Sequence, residues 1–290
     1  MECSEANILS KNILGNHIHY ELYQNTSDKP LIVLIHGFLS STFSYRRLVP
    51  LLRANFSVLA VDLPPFGRSG TSRKYYYSYQ NMAQTVINLV KSLNYHKFSV
   101  VGHSMGGQIA MHTALLEPKM VEKIILLNSS GYMKKVNTTL VYSSYLPFFH
   151  LYVKKWLKKT GVLGNLQNVV YDRSIIDEEM IKGYSEPFDD NGIFKGLTYL
   201  IRHREGDISS QELKRINTPC LLIWGEQDKV VPLNIGKRLH KDLPNSRLII
   251  LPDTGHLVPE EKPELTYQYI LDFVSKTQSN RLAETSIKQD

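Results

Sequence analysis

The sequence predicts an α/β domain: a mostly parallel sheet with helices on both faces, interrupted once by a long insertion. Three observations carry this reading. Short apolar runs rich in Val, Ile and Leu recur along the chain and end at Gly, Asp, Asn or Ser, as buried parallel strands do. Helix-like segments separate them. The alternation breaks only between Ser130 and Thr218.

Taken in order, HIHYELY alternates like an exposed or edge strand. PLIVLIHG, FSVLAVDL, FSVVGHS, EKIILLNSS, CLLIWGEQD and RLIILPDTG read as the buried strands. Between and after them, SYRRLVPLLRAN, YQNMAQTVINLVKSL, GGQIAMHTALLE, LNIGKRLHKDL and PELTYQYILDFVSK carry helical patterning. The interrupting stretch lacks short buried runs and holds aromatics, Lys pairs and pieces such as YLPFFHLYVKKWLKKTG and DEEMIKGYSEPF. Strand-like runs resume directly at Pro219, so the stretch reads as an insertion over one end of the sheet. The expected organisation is a core of residues 1–130 and 219–290 with a helical cap insertion at 131–218.

A chain of 290 residues suffices for one large core. The start, MECSEANILSKN, lacks a basic segment followed by an apolar core, and no later stretch approaches an uncharged membrane span, so a cytoplasmic location is expected. The two cysteines, Cys3 and Cys220, do not suggest a disulfide framework. The 17 tyrosines point to a partly wet, aromatic-lined interior or cleft. The net charge of +7 comes without a basic tail or arm, which argues against nucleic acid as a partner. Its local excess lies from Gly131 to Thr160, where Lys134, Lys135, Lys154, Lys155, Lys158 and Lys159 occur and no acid does. A cap helix whose apolar side covers the site and whose lysines are solvated explains this stretch, with at most weak, salt-sensitive contact with an anionic membrane.

The chemistry-bearing motif is VVGHSMGGQIAM, residues 100–111, a Gly-x-Ser-x-Gly between a buried strand and a helix. This context puts Ser104 on a sharp, strained turn and requires Gly102 and Gly106 to be small, so that strand and helix can approach. The helix beginning at Met105 favours developing negative charge at its start. A serine hydroxyl is a weak nucleophile and needs a base, an orienting acid and an oxyanion site. Asp228 ends one apolar run, His256 follows the next, and the order Ser, Asp, His suits the arrangement. The Phe38 N–H, after LIVLIHGF, joins the Met105 N–H as the candidate oxyanion hole.

From about Ile18 to the helix ending near Lys276, the chain resembles the α/β-hydrolase family. The matching motifs are HGF at 36–38, DLPPFGRSG at 62–70, GHSMGG at 102–107, GEQDKVVP at 225–232 and DTGH at 253–256. Pro65 stands where the family usually has glycine. The resemblance implies an eight-stranded sheet with a helical cap between the sixth and seventh strands, and a serine carboxylesterase or lipase-like enzyme.

Simpler roles are expected for the remaining candidates. His36 and His103 brace the loops beside them, and Asp62 caps the DLPPFGRSG turn. Asp253 is a turn-former. His112 is a core or helix-face residue, while Trp224 and Tyr75 to Tyr77 pack. His96, His203 and His240 have no partner at metal-ligand spacing, so neither metal nor cofactor is expected.

The expected function is hydrolysis of small or medium acyl esters through Ser104, His256 and Asp228. Tyr142, Tyr145, Leu146, Phe148 and Phe149 of the insertion are expected to line an apolar substrate pocket. Two same-triad alternatives stay open: carbon–carbon cleavage of a diketone acid, with Arg202 or Arg204 meeting its carboxylates, and perhydrolysis. A ligand-sensing protein with slow turnover is a third. Ser104, in place of aspartate, argues against dehalogenase and epoxide hydrolase chemistry. Oligomeric state is not legible.

Overall fold

A computed structural model describes residues 7–24 and 29–286. Cys3 lies outside them, as does the side chain of Lys158. The chain opens with strands β1 (Asn7–Ile13) and β2 (Asn16–Tyr23), followed by β3 (Leu31–Ile35), a short helix α1 (Val49–Leu52) and β4 (Ser57–Val61). Helix α2 (Tyr79–Ser92), β5 (Phe98–His103), α3 (Met105–Leu116) and β6 (Val121–Leu127) complete the first half. Five helices then intervene: α4 (Thr138–Ser143), α5 (Phe149–Val169), α6 (Glu178–Ser185), α7 (Gly192–His203) and α8 (Ser210–Leu213). Strand β7 (Cys220–Gly225), α9 (Leu233–Asp242), β8 (Ser246–Leu251), α10 (Val258–Glu261) and α11 (Pro263–Ser286) close the fold.

The eight strands form one sheet in the order β1-β2-β4-β3-β5-β6-β7-β8. All pairs are parallel except β1 with β2 and β2 with β4. Period-two alternation gives both faces apolar cover. Val33 and Ile35 of β3 enter one core with α2, α3 and Leu239 of α9; Ile32 and Leu34 enter the other with Tyr45, Leu52 and Ile270 of α11.

Three expectations need correction. HIHYELY forms β2, which is interior, between β1 and β4; one edge is NILSKNI, whose largely exposed residues gave no buried run to detect. The run RLIIL, read as buried, forms β8 at the other edge and is mostly half-exposed, because no further strand covers its outer side. SYRRLVPLLRAN is not one helix but a 3-10 turn, Thr42–Tyr45, followed by α1. Buried Tyr45 and Leu48 anchor that segment from both pieces, so apolar spacing suggested a continuity the backbone lacks.

Six parallel strands, β3 to β8, deliver their carboxyl ends to one side, where α/β folds place ligands. Glycine lets the chain turn there at two close approaches. A Cβ on Gly106 would stand 2.2 Å from the Ile35 carbonyl oxygen, and one on Gly102 would stand 2.3 Å from the Gly106 carbonyl oxygen. Both obstacles are backbone and cannot swing aside. Gly106→Ala is therefore expected to destabilise the fold by about 3 kcal/mol, read as a lowered midpoint in denaturant unfolding.

Candidate active site

Ser104 sits between β5 and α3 at φ 52° and ψ −119°, a left-handed conformation rare for a residue with a side chain. Neighbouring backbone holds it there. The Ser104 N–H donates to Leu127 O, while Ser104 O accepts from both Gly107 N–H and Ser130 N–H, each at 3.0 Å. Met105 opens α3, so its N–H has no carbonyl one turn back to bond. On the other side, Gly37 approaches so closely that a Cβ there would lie 3.1 Å from Ser104 Cβ. Phe38 follows, its ring edge-on to Phe66 at 5.5 Å.

Asp228 follows β7 and His256 follows β8, and the two meet: His256 Nδ1 donates to Asp228 Oδ2 at 2.7 Å, with both residues buried. This bond fixes the tautomer, leaving Nε2 as the acceptor of a neutral ring. The other Asp228 oxygen accepts from Val230 N–H and Val231 N–H, at 2.8 and 2.9 Å. Burial pushes the carboxyl up, but the bonds from His256, Asn128 and Val231 outweigh it and hold Asp228 below the usual carboxylate range. Asp253 stands in a left-handed turn, φ 49°, as expected of a turn-former.

Asn128 is the residue that sequence reasoning passed over, because it offers no carboxylate. Its left-handed backbone, φ 45°, ends β6 and aims an amide between two loops. Nδ2 donates to Asp228 Oδ2 and to Gly255 O, and Oδ1 accepts from Gly225 N–H. One side chain thus ties β6 to the loops bearing both Asp228 and His256. A strand-end Asn in β6, in line with β5 and β7, was the available signal.

The bracing roles expected of the flanking histidines hold. His36 Nδ1 donates to Gly37 O at 2.7 Å, and its Nε2 accepts from Leu63 N–H at 3.0 Å. His103 Nε2 donates to His256 O at 2.8 Å. Asp62 caps its turn, accepting from Thr42 N–H at 2.7 Å and Arg68 N–H at 2.8 Å. Pro65 packs against α7 so tightly that a Cβ on Gly196 would stand 2.0 Å away. Tyr75, Tyr77 and Trp224 are buried, whereas Tyr76 is exposed and stacks on His203.

Ser104, His256, Gly37 and Phe38 line one cavity of about 390 Å³, roofed by Trp156, Leu157, Val162 and Leu166 of α5. Helix α5 is bonded to the floor as well, since His256 N–H donates to Val169 O at 2.6 Å. Of the expected substrate-binding residues, Tyr142, Tyr145, Leu146 and Phe148 lie away from this cavity and are exposed. Phe149 lines an adjoining apolar chamber of about 320 Å³, which shares Phe38, Trp156 and Leu157 with it, and joins Tyr145, Leu146 and Phe148 in a separate surface pocket that holds none of Ser104, His256 and Asp228. Aromatic content marked the right insertion but not which part of it covers the site, since Tyr145, Leu146 and Phe148 lie between α4 and α5. Ser40 and Tyr184 also line the main cavity, and among the described residues their hydroxyls have no hydrogen-bond partner.

Arg202 and Arg204 are engaged elsewhere. Arg202 donates to Ser144 and stacks on Tyr145, and Arg204 donates to Lys134 O and lines only the adjoining chamber. Among the described residues no group of His, Cys, Asp or Glu is placed to hold a metal ion. Cys220 is buried and free. No described helix is long and apolar enough to cross a membrane.

Residues 30–263 match the α/β hydrolase fold family, and with this sheet and these strand-end residues the chain belongs to it. Its relatives include the uncharacterized hydrolase YugF of Bacillus subtilis, 54% identical over 260 residues, spanning 90% of this chain and 95% of YugF. Monoacylglycerol lipase abhd6-B of Xenopus laevis is 25% identical over 296 residues, spanning 92% and 84% of the two chains. In structure, a mutant of the meta-cleavage product hydrolase CumD from Pseudomonas fluorescens superposes with a TM-score of 0.74 at 22% identity, covering 95% of this chain and 98% of that one.

The buried histidines carry a pH dependence. Burial lowers His36 from 6.5 to about 4, opposed in part by its bond to Gly37 O. The unfolded chain therefore takes up a proton before the native state does, so stability present above 6.5 is lost as pH falls towards 4. Protonated Nε2 would also face the Leu63 N–H, donor against donor. His103, lowered to about 3 by burial and by the neighbouring His256, acts with the same sign; Asp62, raised by burial, acts oppositely. Comparison with His36→Gln isolates the His36 contribution: the unfolding free energy of wild type should fall between pH 6.5 and 4 by about 3 kcal/mol more than that of the variant.

Proposed function

We propose that the protein is a serine hydrolase, carboxylesterase-like, which cleaves esters with apolar acyl groups of small or medium size. The carrying observation is the buried 2.7 Å His256–Asp228 bond in the wall of the cavity that also holds strained Ser104. In this reading Ser104 Oγ attacks the ester carbonyl carbon while His256 Nε2 accepts the hydroxyl proton. Asp228 stabilises the resulting imidazolium through Nδ1–H. The N–H groups of Phe38 and Met105 hold the oxyanion. His256 then returns the proton to the departing alcohol, and a water attacks the acyl-enzyme with His256 again as base. Residues 131–218 act as a cap on a core of residues 1–130 and 219–290.

The cavity lining supports an ester over a dicarboxylate substrate, because among its described residues it carries neither Lys nor Arg. Carbon–carbon cleavage of a diketone acid would leave carboxylates in an apolar space without a cation, at considerable cost. The names of relatives divide between the two readings, a monoacylglycerol lipase at 25% identity and a 2-hydroxy-6-oxononadienedioate/2-hydroxy-6-oxononatrienedioate hydrolase of Comamonas testosteroni at 27%, and the CumD likeness, at 22% identity, speaks for the fold.

A fluorophosphonate probe is expected to add once to wild type and not to Ser104→Ala, as read by intact mass, and that variant should lose about 10⁴-fold or more in kcat on p-nitrophenyl esters. Failure of folded wild type to react would remove the reading in favour of a ligand-binding protein. Asn128→Ala leaves the buried Asp228 short of a donor. It should lower kcat about 10-fold or more, as expected for one hydrogen bond to a charged group, with the pH–rate profile displaced as well.

A further inference from the structure

We propose that the outer face of α4 and α5 docks on an anionic lipid bilayer, seating the Ser104 cavity at the membrane surface. Composition alone supports no more than weak contact, since a Lys-bearing amphipathic helix ordinarily turns its apolar side inward. Here much of the apolar side faces out. On α5, Tyr152 and Trp156 are exposed one turn apart, and Leu151, Lys155 and Lys159, spaced by four, are exposed beside them. Phe148, 72% exposed, stands at the helix entry, and Tyr142 and Leu146 are exposed just before it.

Charge complements this surface. From Gly131 to Tyr171 the chain holds no acid. Among the described residues none of Lys134, Lys135, Lys155 and Lys159 enters an ion pair; Lys154 instead donates to Asn191 Oδ1. Aromatics that insert at the headgroup level beside lysines that reach phosphates are the features of a helix lying in a bilayer interface. Trp156, at the centre of the row, also roofs the Ser104 cavity, so an apolar ligand leaving the bilayer there has a short path inward. The proposal concerns binding and does not depend on the ester reading.

The two tryptophans make the test direct. Trp156 is 63% exposed and Trp224 is 0% exposed, so only the first can change environment on docking. With full-length protein and vesicles of equal phosphatidylglycerol and phosphatidylcholine, Trp156 emission should shift to the blue and be quenched by brominated acyl chains. Affinity should exceed that for pure phosphatidylcholine at least 10-fold. Lys155→Ala and Lys159→Ala should each weaken binding about 5-fold. Phe148→Ser with Leu151→Ser should weaken it about 10-fold, with far-ultraviolet circular dichroism and the thermal midpoint of all these variants unchanged, since the four side chains are exposed. Three results would overturn the proposal. They are absence of co-sedimentation with anionic vesicles in 50 mM salt, binding without quenching and indifferent to Phe148 and Leu151, or burial of Trp156 by self-association without lipid.

Discussion

The close crossing of backbone at the end of β5 constrains everything around it. Strand β5 enters and helix α3 leaves through a space with no room for a Cβ at Gly102 or Gly106, because the opposing atoms are carbonyl groups of α3 itself and of β3. The residue between them must reverse the chain in a left-handed conformation. Ser104 accepts that strain, and its backbone is pinned to β6 and to Ser130 in return. The result is a hydroxyl held by rigid elements, where loop motion cannot carry it away. Preorganisation of this kind is what an enzyme uses to avoid reorganising at the moment of reaction.

A second layer of organisation is polar and buried. Asp228 would be costly in this interior if unpaired, yet it accepts from His256, Asn128, Val230 and Val231. Asn128 spends its remaining capacity on Gly225 and Gly255, so that the loops after β7 and β8 are fixed by one amide from β6. Neutral His36 and His103 extend the network by joining strand-end loops to one another, and their neutrality is a consequence of burial. Glu260, beside the His256 loop, meets Arg46 and Arg47 from the segment before α1. The candidate site thus rests on several buried polar groups that bond one another across the strand ends.

The helical segment between β6 and β7 is built on different terms. It closes the cavity with apolar residues of α5 and bonds to the His256 loop through Val169, yet it leaves large apolar side chains and unpaired lysines outside. The same helix therefore shapes an enclosed apolar space and presents an amphipathic surface to the exterior. Gly161, at φ 71° with no neighbour near its missing Cβ, breaks α5 between the Lys-bearing half and the half that reaches His256. Core and helical segment obey separate constraints, close packing in one and surface chemistry in the other.

Much of this was legible in the residues themselves. Buried parallel strands must be continuously apolar, a tight strand-to-helix turn must have glycine on both sides, and loops at the strand ends carry the polar groups; these local requirements leave marks in VVGHSMGGQIAM and CLLIWGEQD. Three matters were decided only in three dimensions. NILSKNI became the sheet edge because pairing with β2 supplies hydrogen bonds that its exposed side chains do not advertise. Asn128 acquired its place beside Asp228 because adjacent parallel strands end together, a juxtaposition across 100 residues that no spacing encodes. The cavity took Trp156, Leu157 and Leu166 of α5 in preference to Tyr142, Tyr145 and Phe148 because the latter stand on α4 and in the segment before α5, and the path of the chain over the core determines which apolar residues reach the site. Local chemistry is written in the chain, whereas the choice among equally apolar faces belongs to tertiary packing.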